Sequence, residues 1–196
     1  MEETKLSILK TIKARRSAHT FKDKPVDTKI LKEIFTYGSY APTHYMKEPW
    51  NIKLYQGEGR TAFVDAIIAS YIRIGMISDD ASPKTLKMVD SMKSFLLSIP
   101  HHGLIYFERE ADSIRFEEEY AAVCAFIQNA QLAGWEYGVG MLWTITPYMS
   151  DPLFLEEIGL NSEVFKIAAV MQIGYPEKVS RNKGRTPIEK KLEIIE

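Results

Sequence analysis

The chain has 196 residues and a formal net charge of −1 at pH 7. That balance gives no electrostatic reason to expect nucleic acid or an anionic membrane surface as a partner. Hydrophobic content of 45% and aromatic content of 11% describe an ordinary globular chain, long enough for one sizeable core. One cysteine, Cys124, excludes an intrachain disulfide and a cysteine-based zinc site. No apolar run approaches the roughly 20 residues that span a bilayer. The opening Met1-Glu2-Glu3-Thr4-Lys5 lacks the apolar core of a secretory leader. A reducing compartment, the cytoplasm, is therefore the expected location.

Leu6, Leu9 and Ile12 recur at helical spacing, which predicts a helix over residues 4–14. Asp27 is placed to cap a second helix, with Ile30, Leu31, Ile34 and Phe35 on one side and Gly38 and Pro42 to stop it. Residues 51–55 alternate, with Ile52 and Leu54 on one face, and read as a strand. A helix is expected over 60–73, with Phe63, Ile67 and Tyr71 in register. Ser82-Pro83 opens another, serine at the cap and proline in the first turn, carrying Leu86, Val89, Met92, Phe95 and Leu96 to Pro100. The apolar run 103–107 reads as a buried strand, with His101 and His102 at its edge rather than on a metal.

Residues 113–137 form the longest periodic segment. Tyr120, Val123, Cys124, Ile127, Ala130, Gln131 and Trp135 mark its buried stripe, and Gly138 is a natural stop. The acidic run 117–119 reads as a solvated early turn that complements the helix dipole. A strand is expected over 141–145, a short helix from Asp151-Pro152 to 157, and a central strand covered on both faces over 165–173. Residues 177–191 are charged, and 192–195 are apolar again. With no linker, repeat or low-complexity tract, residues 1–196 read as one α+β domain.

Three short stretches carry chemistry. Arg15-Arg16-Ser17-Ala18-His19 follows the first helix. Two guanidiniums and a hydroxyl suit a phosphate, whose oxygens match the planar arginine fork; taken alone, the same cations also suit a helix C-terminus. Ala41-Pro42-Thr43-His44-Tyr45-Met46-Lys47-Glu48-Pro49-Trp50 is an aromatic-flanked loop able to cover a flat ring. Lys183-Gly184-Arg185-Thr186-Pro187 adds cations near the end of the chain. Gly138-Val139-Gly140 lacks the third glycine and the strand-before-helix setting of a dinucleotide fingerprint.

In order and spacing these stretches resemble the FMN-dependent nitroreductase family, over residues 8–190. The resemblance implies a nitroreductase-like fold, a central, mostly antiparallel sheet flanked by helices. It further implies a homodimer with the C-terminal tail exchanged across the interface. Arg15, Arg16 and Ser17 match phosphate and ribityl contacts, and Lys183 and Arg185 match the tail's phosphate contacts. His19 falls where members place a basic residue near the pyrimidine edge. His44, with Tyr40 beside it, matches a contact supplied by the neighbouring subunit. Trp143, Thr144 and Ile145 match the segment along the flavin ring. Met46 and Glu48 depart from the family's Asn and Gln, which bears on ring hydrogen bonding and substrate preference.

The implied activity is an oxidoreductase holding FMN, with NADH or NADPH as electron donor. The acceptor is a small molecule, a nitroaromatic, a quinone or similar, served by a ping-pong route. The flavin carries that chemistry, so no separate catalytic nucleophile or base is expected. The alternative from the same residues is an FMN-binding module for storage, sensing or delivery, because fold and ligand do not fix function.

Overall fold

The computed structural model describes residues 8–181 and 184–196, so the expectation on Lys183 lies outside the described residues. In chain order the main elements are α1 (Ile8–Ala14), α2 (Thr28–Gly38), β1 (Asn51–Gln56), α3 (Gly59–Arg73) and α4 (Pro83–Ser98). They continue with β2 (His101–Glu108), α5 (Ser113–Glu136), β3 (Gly140–Thr144), α6 (Pro152–Glu157) and β4 (Phe165–Gly174). The helix starts are chemically explicit. The Asp27 carboxylate accepts from Lys29 N at 2.8 Å, and the Ser82 hydroxyl accepts from Thr85 N at 3.3 Å with Pro83 in the first turn. Asp112 accepts from Arg115 N at 2.9 Å to start α5. Gly138, at φ 68°, ends it in the left-handed region that favours glycine.

The four strands form one sheet in the order β1-β2-β4-β3, every neighbouring pair antiparallel. The β4 strand sits inside the sheet, and its residues 167–174 are buried. Its pairing with β2 steps from Ile105–Ala169 to Tyr106–Ile167, which leaves Ala168 without an opposite residue. Such a bulge restores alternation on both sides of itself. Ala169, Met171 and Ile173 then face one core and Ile167 and Val170 the other.

One core lies under α2 and α5, built on Leu31, Ile34, Val123, Phe126 and Ile127. The second lies under α3 and α6, built on Phe63, Ile67, Phe154 and Leu155. The two histidines of β2 are fully buried packing residues. His101 Nε2 accepts from Val26 N at 2.8 Å, and His102 Nε2 donates to the Leu96 carbonyl at 2.9 Å. Burial pushes both imidazoles down to about 4, so both stay neutral near pH 7.

Two helices turn apolar side chains outward. On α1, Ile8, Leu9 and Ile12 are exposed, whereas Thr11 is buried against α5 and bonded to Glu136. On α4, Leu86 and Phe95 are about half exposed. The strand expected to reach Ile145 stops at Thr144, and Ile145 is exposed. No helix of the described residues is long and apolar enough to cross a membrane.

Candidate functional site

Helix α1 ends at Ala14 and delivers Arg15, Arg16 and Ser17 in the turn that follows. Burial and the nearby charges of Arg16 and Arg185 lower the pKa of Arg15. The fold thus brings a guanidinium from the end of the chain into electrostatic contact with those at its start. Arg15 Nη1 donates weakly to Gln131 Oε1 at 3.4 Å, while Arg15 Nε is buried with no hydrogen-bond partner. Arg16 Nη1 folds back on the carbonyls of Lys13 and Arg15 at 2.7 and 2.6 Å. Among the described residues no carboxylate pairs with Arg15 or Arg16. A half-buried cluster of like charges is unfavourable by itself and suits a multivalent anion.

This segment is fixed to the sheet. Ser17 forms a parallel bridge with Met141 at the start of β3, with Ala18 N donating to the Met141 carbonyl at 3.2 Å. Four residues on, Phe21 bridges Pro176. Gly140 makes the approach possible: a Cβ there would lie 2.5 Å from Pro176 Cγ and 2.7 Å from Ala18 Cβ. His19 lies exposed between the two bridges. Further along β3, the Thr144 hydroxyl donates to the Val170 carbonyl at 2.7 Å. Trp143 packs half-buried against the α5 core, with its indole Nε1 buried and unpartnered.

The loop after α2 has a different character. Tyr40, Tyr45 and Met46 are strongly exposed, at 80%, 91% and 75%. Tyr45, Met46 and Glu48 all have positive φ, at 49°, 54° and 47°. Left-handed backbone at non-glycine residues costs roughly 1–3 kcal/mol each and persists only where neighbours over-determine it. Here Glu48 N donates to the Thr43 hydroxyl at 3.1 Å, and the His44 ring stacks on Tyr45 at 4.2 Å. His44 Nδ1 meets Glu118 at 2.9 Å, and the Lys47 ammonium is shared by Glu110 and Glu119. Glu119 therefore departs from the solvated role expected for the acidic run. It is 8% exposed and neutralised by a lysine 72 positions earlier in the chain.

The two halves of the candidate site do not meet within one chain. Arg15 touches Gln131 near the end of α5, and His44 touches Glu118 near its start. Those two residues are roughly 20 Å apart along the helix axis. Arg15, with Arg16, Ser17 and Arg185 near it, sits toward one end of α5, and His44 lies at the other. Gln131, Lys47, Glu110 and Glu119 are members of the site region that sequence reasoning did not single out. For Gln131 the signal was present, as an amide in the middle of an otherwise apolar stripe.

Comparison with known proteins bears on the fold and the family. The profile of the Nitroreductase family matches residues 12–175. A Bacillus subtilis (strain 168) protein named Putative NAD(P)H nitroreductase YfhC is 30% identical over 179 residues, covering 90% of this chain and 88% of its own. The crystal structure of a nitroreductase-like family protein from Bacillus cereus is 39% identical and superposes with a TM-score of 0.89 over 100% of both chains. The FMN and NADPH-dependent nitroreductase NfnB from sphigopyxis sp. strain HMH shares the fold at 18% identity, with a TM-score of 0.74 over 97% of this chain and 100% of its own. Fold, motifs and family profile agree over most of its length: this chain belongs to the nitroreductase family.

Proposed function

We propose that this chain is an FMN-dependent oxidoreductase that takes electrons from NADH or NADPH and passes them to a nitroaromatic, a quinone or a similar small acceptor. The observation that carries the reading is the guanidinium cluster of Arg15, Arg16 and Arg185 around a buried, unpartnered Arg15 Nε. A phosphate dianion would supply the acceptor that Arg15 Nε lacks and offset the like charges gathered there. When bound, FMN supplies hydride transfer in two half-reactions, which is ping-pong turnover. Arg15, Arg16 and Arg185, with Lys183, hold the phosphate, and Ser17 adds a hydroxyl. His19 would donate toward the pyrimidine edge of the flavin, and Trp143, Thr144 and Ile145 would lie along its ring.

The site is completed by a second copy of the chain. One protomer supplies the arginine cluster, and its partner supplies His44, which lies too far along α5 to serve its own cluster, with the exposed Tyr40 beside it. The outward apolar residues Ile8, Leu9 and Ile12 of α1, with Tyr37, Tyr40, Tyr45 and Met46, offer the surface for that pairing. Exchange of the C-terminal tail would lay the apolar residues 192–195 on the partner.

The test is flavin affinity followed by anaerobic reduction. FMN is expected to bind far more tightly than riboflavin, because each charge-assisted phosphate contact contributes roughly 1.5–3 kcal/mol. NADH or NADPH is then expected to bleach the bound flavin, and an added quinone to restore its colour. Equal affinity for FMN and riboflavin would remove the phosphate assignment. Tight FMN binding without bleaching by either nicotinamide would favour a storage or delivery role.

A further inference from the structure

We propose that Lys47 is a positioning residue that latches loop 43–48 in the shape that presents His44 to the flavin of the partner subunit. The loop carries three left-handed residues within four positions, none of them glycine or asparagine. Contacts inside the loop, Glu48 N to the Thr43 hydroxyl and Lys47 N to the His44 carbonyl, support that shape, and a tie to the rest of the fold fixes where it sits. The Lys47 ammonium ties the loop both to Glu110, in the connection ahead of α5, and to Glu119 on α5. Glu119 is the buried end of the latch, its side chain 9% exposed against 45% for Lys47. Its Oε2 is buried with no hydrogen-bond partner, while its Oε1 accepts from the Lys47 ammonium.

The geometry also explains how the latch reaches His44. Glu118, which holds the His44 ring, is the chain neighbour of Glu119, which holds Lys47. The histidine and the lysine, three positions apart on the loop, are therefore gripped by adjacent residues of one helix. Releasing Lys47 leaves a buried carboxylate unpaired, and the loop relaxes toward right-handed backbone with His44 displaced.

This inference rests on the flavin reading for its consequence but not for its structural part, and two measurements keep them apart. The first is hydrogen exchange at the amides of residues 44–48 in the flavin-free protein. Lys47→Met is expected to speed it at least about tenfold, with Lys47→Arg close to the parent. The second is FMN affinity, expected to fall about tenfold in Lys47→Met and to return in Lys47→Arg. The reversed pair Lys47→Glu with Glu119→Lys is expected to restore both readouts relative to Lys47→Glu alone. Unchanged exchange in Lys47→Met overturns the latch, whether or not the parent binds FMN. Faster exchange with unchanged FMN affinity, in a parent that does bind FMN, overturns its positioning role. If the parent binds no FMN, the flavin reading falls and the exchange measurement alone decides the latch.

Discussion

Arg15 shows how one residue can carry opposing demands. Its guanidinium is half-buried, beside two other cations, with Nε lacking any acceptor. In a chain without an anionic ligand that arrangement is a standing cost. The Ser17–Met141 bridge and the absent Cβ of Gly140 hold the segment against β3. Gly140→Ala is expected to force Pro176 and Ala18 apart, since its Cβ would lie 2.5 and 2.7 Å from them. Overpacking of this kind costs roughly 1–3 kcal/mol. The expected readout is a thermal midpoint lower by several degrees together with weaker FMN binding, because Arg15 and Ser17 move with the bridge. A variant with the parent's midpoint and affinity would show that the close approach is not needed.

At the scale of elements, the β2 histidines tie the sheet to its surroundings. His101 accepts from Val26 N and so joins the segment before α2 to the sheet; His102 donates to Leu96 near the end of α4. Unfolded imidazoles titrate near 6.5, whereas these are held down to about 4 by burial. Between those values the unfolded chain takes up protons that the folded chain refuses. Stability is therefore full above about pH 6.5 and falls as pH drops toward 4, by up to about 1.4 kcal/mol per pH unit for each imidazole. Urea midpoints at pH 7, 5.5 and 4.5 are expected to decline in that order. A midpoint constant across the range would contradict the neutral, buried assignment.

The same scale shows what was legible before any coordinates. Period and capping chemistry located the helices and strands, because Asp27, Ser82, Asp151 and Gly138 act locally. Period does not reveal what covers a face: Leu9 and Ile12 on α1 and Leu86 on α4 turn outward. The Ala168 bulge and the left-handed run at Tyr45, Met46 and Glu48 had no glycine or turn residue to announce them. The burial of Glu119 depends on Lys47, which only the fold brings near. The arginine motifs were readable in the sequence, whereas the nearness of Arg185 to Arg15 comes from the fold.

At the scale of the whole molecule, α5 acts as a spacer. It holds Gln131 and Arg15 at one end and Glu118 and His44 at the other, roughly 20 Å apart. On the proposed shared-site reading, a single copy owns two half-sites, and a twofold pair converts them into two whole ones. Mixing two defective variants tests this directly. Arg15→Ala lacks the phosphate half and His44→Ala lacks the partner's half. In a mixed pair, one site takes its Arg15 from one chain and its His44 from the other, and is intact. After the chains are co-refolded in equal amounts, about a quarter of all sites are expected to bind FMN with parental affinity, since half the pairs are mixed and each holds one whole site. Each variant alone is expected to show none. A mixture that titrates as the simple sum of its two parents, with no restored high-affinity fraction, would contradict the shared site.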